Sequence, residues 1–143
     1  MPWSTGLRCL AAALVIAAIG CSGSGRPDTA RVTGLVTYKG QPLAEAQVSF
    51  IPAQGRPASG GTGADGRFTL TTFRANDGAL LGEHTVIIAK TVPVAGQEDK
   101  PYAYPYAKPR SVIPEKYGNL QKSPLKETVT AKGPNEFTFD LTD

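Results

Sequence analysis

The six residues Glu136-Phe-Thr-Phe-Asp-Leu141 alternate without a fault between polar and apolar side chains. A β-strand, whose successive side chains point to opposite faces, turns that pattern into one wet face and one dry face; a helix would smear it around its circumference. The same period of two recurs up the chain. In residues 31–38 (RVTGLVTY), Val32, Val36 and Tyr38 share one face and Arg31, Thr33 and Thr37 the other, with Leu35 out of phase. Val48 and Phe50 alternate through 46–51, and Phe68 and Leu70 through 67–73, while residues 126–131 (KETVTA) form a further candidate. Residues 83–90 (EHTVIIAK) carry an apolar centre on both faces, the mark of a strand covered from two sides.

Between these runs the chain is punctuated for turning. It holds sixteen glycines and twelve prolines among 143 residues, a density that favours short strands over long helices. Lys39-Gly40-Gln41-Pro42, Ala64-Asp65-Gly66, Asn76-Asp77-Gly78 and the KGPN of residues 132–135 each supply residues suited to a turn. Residues 52–63, rich in Gly, Pro and Ser, are expected to form a loop. Six or seven short strands with no amphipathic helix predict an all-β fold, an antiparallel β-sandwich over residues 31–143. That length suits one domain. The net charge of +3 comes from scattered basic residues with no block of five, which is no footprint for nucleic acid.

The beginning of the chain follows a different rule. Residues 9–20 (CLAAALVIAAIG) are almost wholly apolar and are followed at once by SGSGRPDTA. Twelve helical residues rise only about 18 Å, short of the ~30 Å hydrocarbon slab. A buried amphipathic helix would show a polar stripe, and residues 10–19 show none. The run has the length of a signal-peptide core. Ala18-Ile19-Gly20-Cys21 resembles a bacterial lipobox, with Ala18 where leucine is commonest. The resemblance implies cleavage between Gly20 and Cys21 and attachment of diacylglycerol to the Cys21 thiol, leaving a triacylated N-terminus. Several acyl chains anchor stably where one is marginal. Ordinary secretion with cleavage nearby and an uncleaved anchor are the competing readings. On the lipobox reading, 1–20 is a signal peptide, formed as a helix and removed, and 21–30 is a Ser/Gly-rich tether. The place of work is then the bacterial cell envelope. Ser22 after the cysteine favours the outer membrane by resemblance to the sorting pattern of two-membrane bacteria.

The order of motifs in the body carries a second resemblance. Val32-Thr-Gly34-Leu-Val36, Lys39-Gly40-Gln41-Pro42-Leu43, Ala46-Gln-Val48-Ser-Phe50, Thr62-Gly-Ala-Asp65-Gly66-Arg-Phe68 and Gly82-Glu-His84-Thr-Val86 follow one another as in the carboxypeptidase regulatory-like domain. That family implies a transthyretin-like, Ig-like sandwich of seven strands in a Greek key. His84 stands where an aromatic residue is usual in it. The enzyme branch of the transthyretin-like superfamily uses several histidines and a C-terminal Tyr-Arg-Gly-Ser. This chain has one histidine and ends Asp140-Leu-Thr-Asp143. The resemblance therefore implies a non-catalytic accessory module with no cofactor.

Candidate chemistry is sparse. Both cysteines, Cys9 and Cys21, lie in or beside the apolar run, so the body has no disulfide framework, thiolate metal site or cysteine nucleophile. One histidine is too few for a histidine-based metal site, and none is expected. Asp65 is a lone carboxylate without the alternating oxygen ligands of a calcium loop, and is expected to close its own turn. An envelope hydrolase would have to be assembled from His84 and carboxylates such as Glu83, Asp77 or Glu98. The most unusual segment is DKPYAYPYAKPR (99–110), where Tyr102, Tyr104 and Tyr106 recur every second residue. Extended, it would project three rings one way as a binding ridge for a protein partner or for the sugar rings of a polysaccharide. Folded back, the same rings would cover an open end of the sandwich. Residues 91–125 as a whole are expected to be a long loop.

Overall fold

The structure is a computed structural model that describes residues 25–93 and 108–143. The first strands are β1 (Thr29–Ala30), β2 (Thr33–Tyr38), β3 (Gln41–Pro42), β4 (Gln47–Pro52), β5 (Ala58–Gly61) and β6 (Arg67–Thr69). They are followed by β7 (Ala79–Leu80), β8 (Gly82–Ala89), β9 (Thr91–Val92), β10 (Arg110–Ser111), β11 (Lys126–Val129) and β12 (Glu136–Leu141). One 3-10 turn, Glu115–Gly118, lies between β10 and β11. Among the described residues no helix is long and apolar enough to cross a membrane.

Two sheets face each other across an apolar interior. One runs β11-β8-β4-β5, and in the other β2 pairs with β12 along one edge and with β3 and β6 along the other. A bridge between Ser59 and Thr71 joins the sheets at the β5–β6 side. Alternation decides what each strand buries. Val32, just before β2, and Gly34 and Val36 within it turn inward, β4 turns Val48 and Phe50, β8 turns His84, Val86 and Ile88, and β12 turns Phe139 and Leu141. Phe50 sits at the middle, its ring 5.6 Å from that of Phe137, 6.2 Å from Phe139 and 5.7 Å from the His84 imidazole. These are tilted or edge-on contacts of the kind aromatic pairs prefer. Gly34 is the gap in β2's inner face that its partners require. A methyl there would lie 2.6 Å from the Phe68 ring.

The expected all-β fold is present, and its sheets are mostly antiparallel. One pair departs from that rule: β12 runs parallel to β2 over six residues, from Glu136↔Thr33 to Leu141↔Tyr38. Alternation fixes which face is buried but says nothing about direction. The direction follows from the connection. β11 ends opposite Gly82, residues 130–135 cross to the other sheet at that same end, and β12 therefore starts beside the start of β2.

Three further expectations change. Residues 52–63 are not all loop, because Ala58–Gly61 pairs with β4 from Phe50↔Ala58 to Gln47↔Gly61. Its inward positions are Ala58 and Gly60, small because the Leu70 side chain and the Thr69 carbonyl pass close by. Residues 91–125 are not structureless throughout: β9 pairs with β10, and the 3-10 turn buries Tyr117. The outer cover of β8 is partial, since Thr85 and Ile87 are half-buried. Tyr38 shares the inner face of Val32 and Val36 as expected, packing partly buried against the core at the rim, with its hydroxyl donating to Asp143 at 2.5 Å. Residues 1–20 with their expected signal helix, the cleavage site at Gly20 and Cys21, and Tyr102, Tyr104 and Tyr106 lie outside the described residues.

Candidate functional site

The strand registers divide the molecule into two poles. The start of β2, the end of β6, the start of β8, the end of β4 and the start of β12 lie at one end, which we call the near pole because the chain arrives there from residue 25. The opposite, far pole gathers the ends of β2, β8 and β12 with the starts of β4 and β6. Past it, β9 and β10 extend as a two-stranded ladder in which Val92 faces Arg110. The chain therefore leaves for residues 94–107 and returns from them beyond the far pole. Val92 and Val112 at this base are each 38% exposed.

Polar side chains at the poles are committed to holding turns. At the far pole the buried Thr62 hydroxyl donates to the Leu43 carbonyl at 2.6 Å and accepts from the Ala46 amide at 2.8 Å. Asp65 Oδ1 accepts from the Arg67 amide at 3.1 Å, the turn-closing role expected of it. Gly66, with φ of 77°, lies where a side chain would strike the Val36 carbonyl. At the near pole Asp77 accepts the backbone N–H groups of Thr72, Phe73 and Arg74 at 2.7, 2.9 and 2.8 Å. Desolvation pushes its carboxyl upward, but these amide bonds outweigh it, and the group sits below the ordinary carboxylate range. Asn135 side-chain atoms bond both the amide and the carbonyl of Thr130, fixing the crossing to β12.

His84 is 2% exposed. Its Nε2 lies 2.7 Å from the Leu80 carbonyl, which can only accept, so Nε2 carries the hydrogen. Nδ1 is buried without a hydrogen-bond partner among the described residues. Glu83, its neighbour on β8, necessarily projects to the other face of the sheet and is exposed. Asp77 is held by its three amides, and Glu98 lies outside the described residues. His84 and Glu83 line one cleft, but Asp77 lies in another, so the three are not brought together. Among the described residues no three His, Cys, Asp or Glu side chains are grouped to hold a metal ion.

The acid that stands nearest in register to His84 is Glu127. It is the cross-strand partner of His84 in β11, so both point to the inner side. Glu127 is half-buried, and loss of water raises its carboxyl above the usual range. The signal was present in KETV: Glu127 shares its phase with Val129, which places a carboxyl on an apolar face. His84 and Glu127 both line an open cleft of about 700 Å³ that also takes in Ile51, Glu83, Thr85, Leu120 and Lys126. Its charges are mixed, and Lys126 Nζ is 3.3 Å from the Thr85 hydroxyl. Comparison of the chain with protein-family models, with curated proteins and with solved structures finds no match.

Proposed function

We propose that the protein is a lipid-anchored lipoprotein of the bacterial cell envelope whose domain is a non-catalytic binding module for a protein partner. The observation that carries the reading is Cys21, a single thiol placed where a short, all-apolar leader gives way to a Ser/Gly tether. Cleavage before Cys21 and its acylation would make the anchor permanent. The domain is read as a transthyretin-like sandwich of the carboxypeptidase regulatory-like kind, from the motif order between residues 31 and 90 and from the sandwich-like arrangement of the two sheets.

Two structural features support a binding role. Thr62, Asp65, Asp77 and Asn135 are occupied in turns and crossings, so the fold holds these loops in place. The base of the segment with Tyr102, Tyr104 and Tyr106 lies beyond the far pole, opposite the end where the tether enters, and is flanked by the exposed Val92 and Val112. An anchored domain would thus offer that segment away from its own membrane. The test is recovery of envelope proteins by the wild-type chain and by a Tyr102→Ala/Tyr104→Ala/Tyr106→Ala variant. Loss of a specific partner in the variant supports the reading; equal recovery removes the ridge from it. A glycan array run in parallel separates a protein partner from a polysaccharide.

A further inference from the structure

Two guanidinium groups from distant parts of the chain converge on one ring at the near pole. Arg26 lies 5.8 Å and Arg56 5.9 Å from the centroid of the half-buried Phe73. Arg74, the next residue, lines the same shallow cleft as Arg26. Among the described residues none of the three has a carboxylate within ion-pair distance, whereas Arg67 and Lys39 elsewhere do. Two acids line this cleft, Asp28 and Asp77. Asp77 is already engaged by three backbone amides. Beside the cleft, Leu81 is 40% exposed and shares a groove with Pro27 and Asp28. Unpaired arginines around an aromatic ring, next to a protruding leucine, form a surface suited to phosphate groups lying over hydrocarbon.

The covalent chain says which phosphates these would be. Arg26 is the fifth residue after Cys21, and five steps along the chain span at most about 18 Å whatever their conformation. If Cys21 is acylated, the near pole stays close to the headgroup region, with Arg26 held within roughly two Debye lengths of Cys21 at physiological salt. We propose that the near pole is a membrane-docking surface, in which Arg26, Arg56 and Arg74 bind anionic phospholipid headgroups and Leu81 enters the interface. This rests on the lipid-anchor reading and adds to it a fixed orientation: near pole down, tyrosine segment outward. A tether alone would let the domain tumble.

The test uses the mature chain, residues 21–143, with Cys21→Ser, so that neither an acyl group nor the apolar leader contributes and no native tryptophan remains. Leu81→Trp in this background reports contact through quenching by brominated acyl chains, and Gln41→Trp reports the far pole. Vesicles are of neutral phospholipid with or without anionic phospholipid, in about 0.01 M and 1 M salt, where screening lengths are about 30 and 3 Å. Quenching of Leu81→Trp is expected on anionic vesicles at low salt and is lost at high salt, with Gln41→Trp silent throughout. Replacing Arg26, Arg56 and Arg74 by Gln should lower the docked-to-undocked ratio about fivefold per residue and about a hundredfold together. Equal quenching on neutral vesicles, equal quenching at Gln41→Trp, or no effect of the triple substitution overturns the proposal. Acylation is read separately from the mass of the native protein. A chain lacking acyl groups that still docks through Leu81 refutes the anchor and leaves the surface standing, and an acylated chain that fails to dock does the reverse.

Discussion

Replacing Gly34 by alanine tests the packing that joins β12 to the rest of the fold. The added methyl would lie 2.6 Å from Cε1 and Cζ of Phe68, against about 3.5–4.0 Å for carbons in comfortable contact. The ring must therefore retreat by about 1 Å. It is held from behind by Phe139, with which it stacks at 6.2 Å. The carbonyl of Phe137, on the parallel strand β12, lies closer still and belongs to backbone that cannot rotate aside. Overpacking of this kind costs about 1–3 kcal/mol, a large part of the roughly 5–15 kcal/mol that holds a domain folded. With a urea slope of about 1.5 kcal/mol per molar, the unfolding midpoint should fall by about 0.7–2 M. Gly61→Ala is the control: its methyl meets nothing nearer than a carbonyl at 4.0 Å, and the midpoint should hardly move. Phe68→Leu combined with Gly34→Ala should cost less than the sum of the two, because the pair clashes directly. A Gly34→Ala midpoint within about 0.2 M of the parent would refute both the ring's position and the parallel pairing.

Two carboxylates should give pH dependences of opposite sign. Asp77 has a depressed value when folded, so its contribution is present above its unfolded value of about 4 and is lost as pH falls through the lower folded one. Asp77→Asn should therefore destabilise at neutral pH and flatten the acid limb of the stability curve, read from urea midpoints between about pH 2 and 7; an unchanged acid limb would count against it. Glu127 has a raised value, so its contribution is present below the unfolded value and is lost as pH rises through the folded one. Glu127→Gln should match the parent near pH 4 and exceed it at pH 7 by urea midpoint, and a variant weaker at pH 7 would contradict the inward placement.

How much of this was legible in the sequence depends on how strongly each strand differs between its two faces. β12 and β4 bury Phe139 with Leu141 and Val48 with Phe50, and the alternation marks them directly. β5 was hidden because its inward residues are Ala58 and Gly60, chosen for closeness and not for bulk, and its glycines read as loop. The parallel direction of β12 is set by which end residues 130–135 cross, a non-local fact no periodicity records. For the candidate site the sequence located Asp65 and Asp77 on turns. It could not show that Asp77's acceptors were already filled, that Nδ1 of His84 would be buried without a partner, or that Arg26 and Arg56 would meet on Phe73. The first turns on the exact dihedrals of a short loop, and the others on how separate segments close over one another, which no periodicity records.

The direct test of the anchored-module account is the intact mass of the protein extracted from its native membrane. A mass equal to residues 21–143 plus fatty acyl groups is the expected result. A mass equal to the full chain, or to a cleaved chain carrying no acyl group, would contradict it and detach the orientation and the partner-binding role from their common footing.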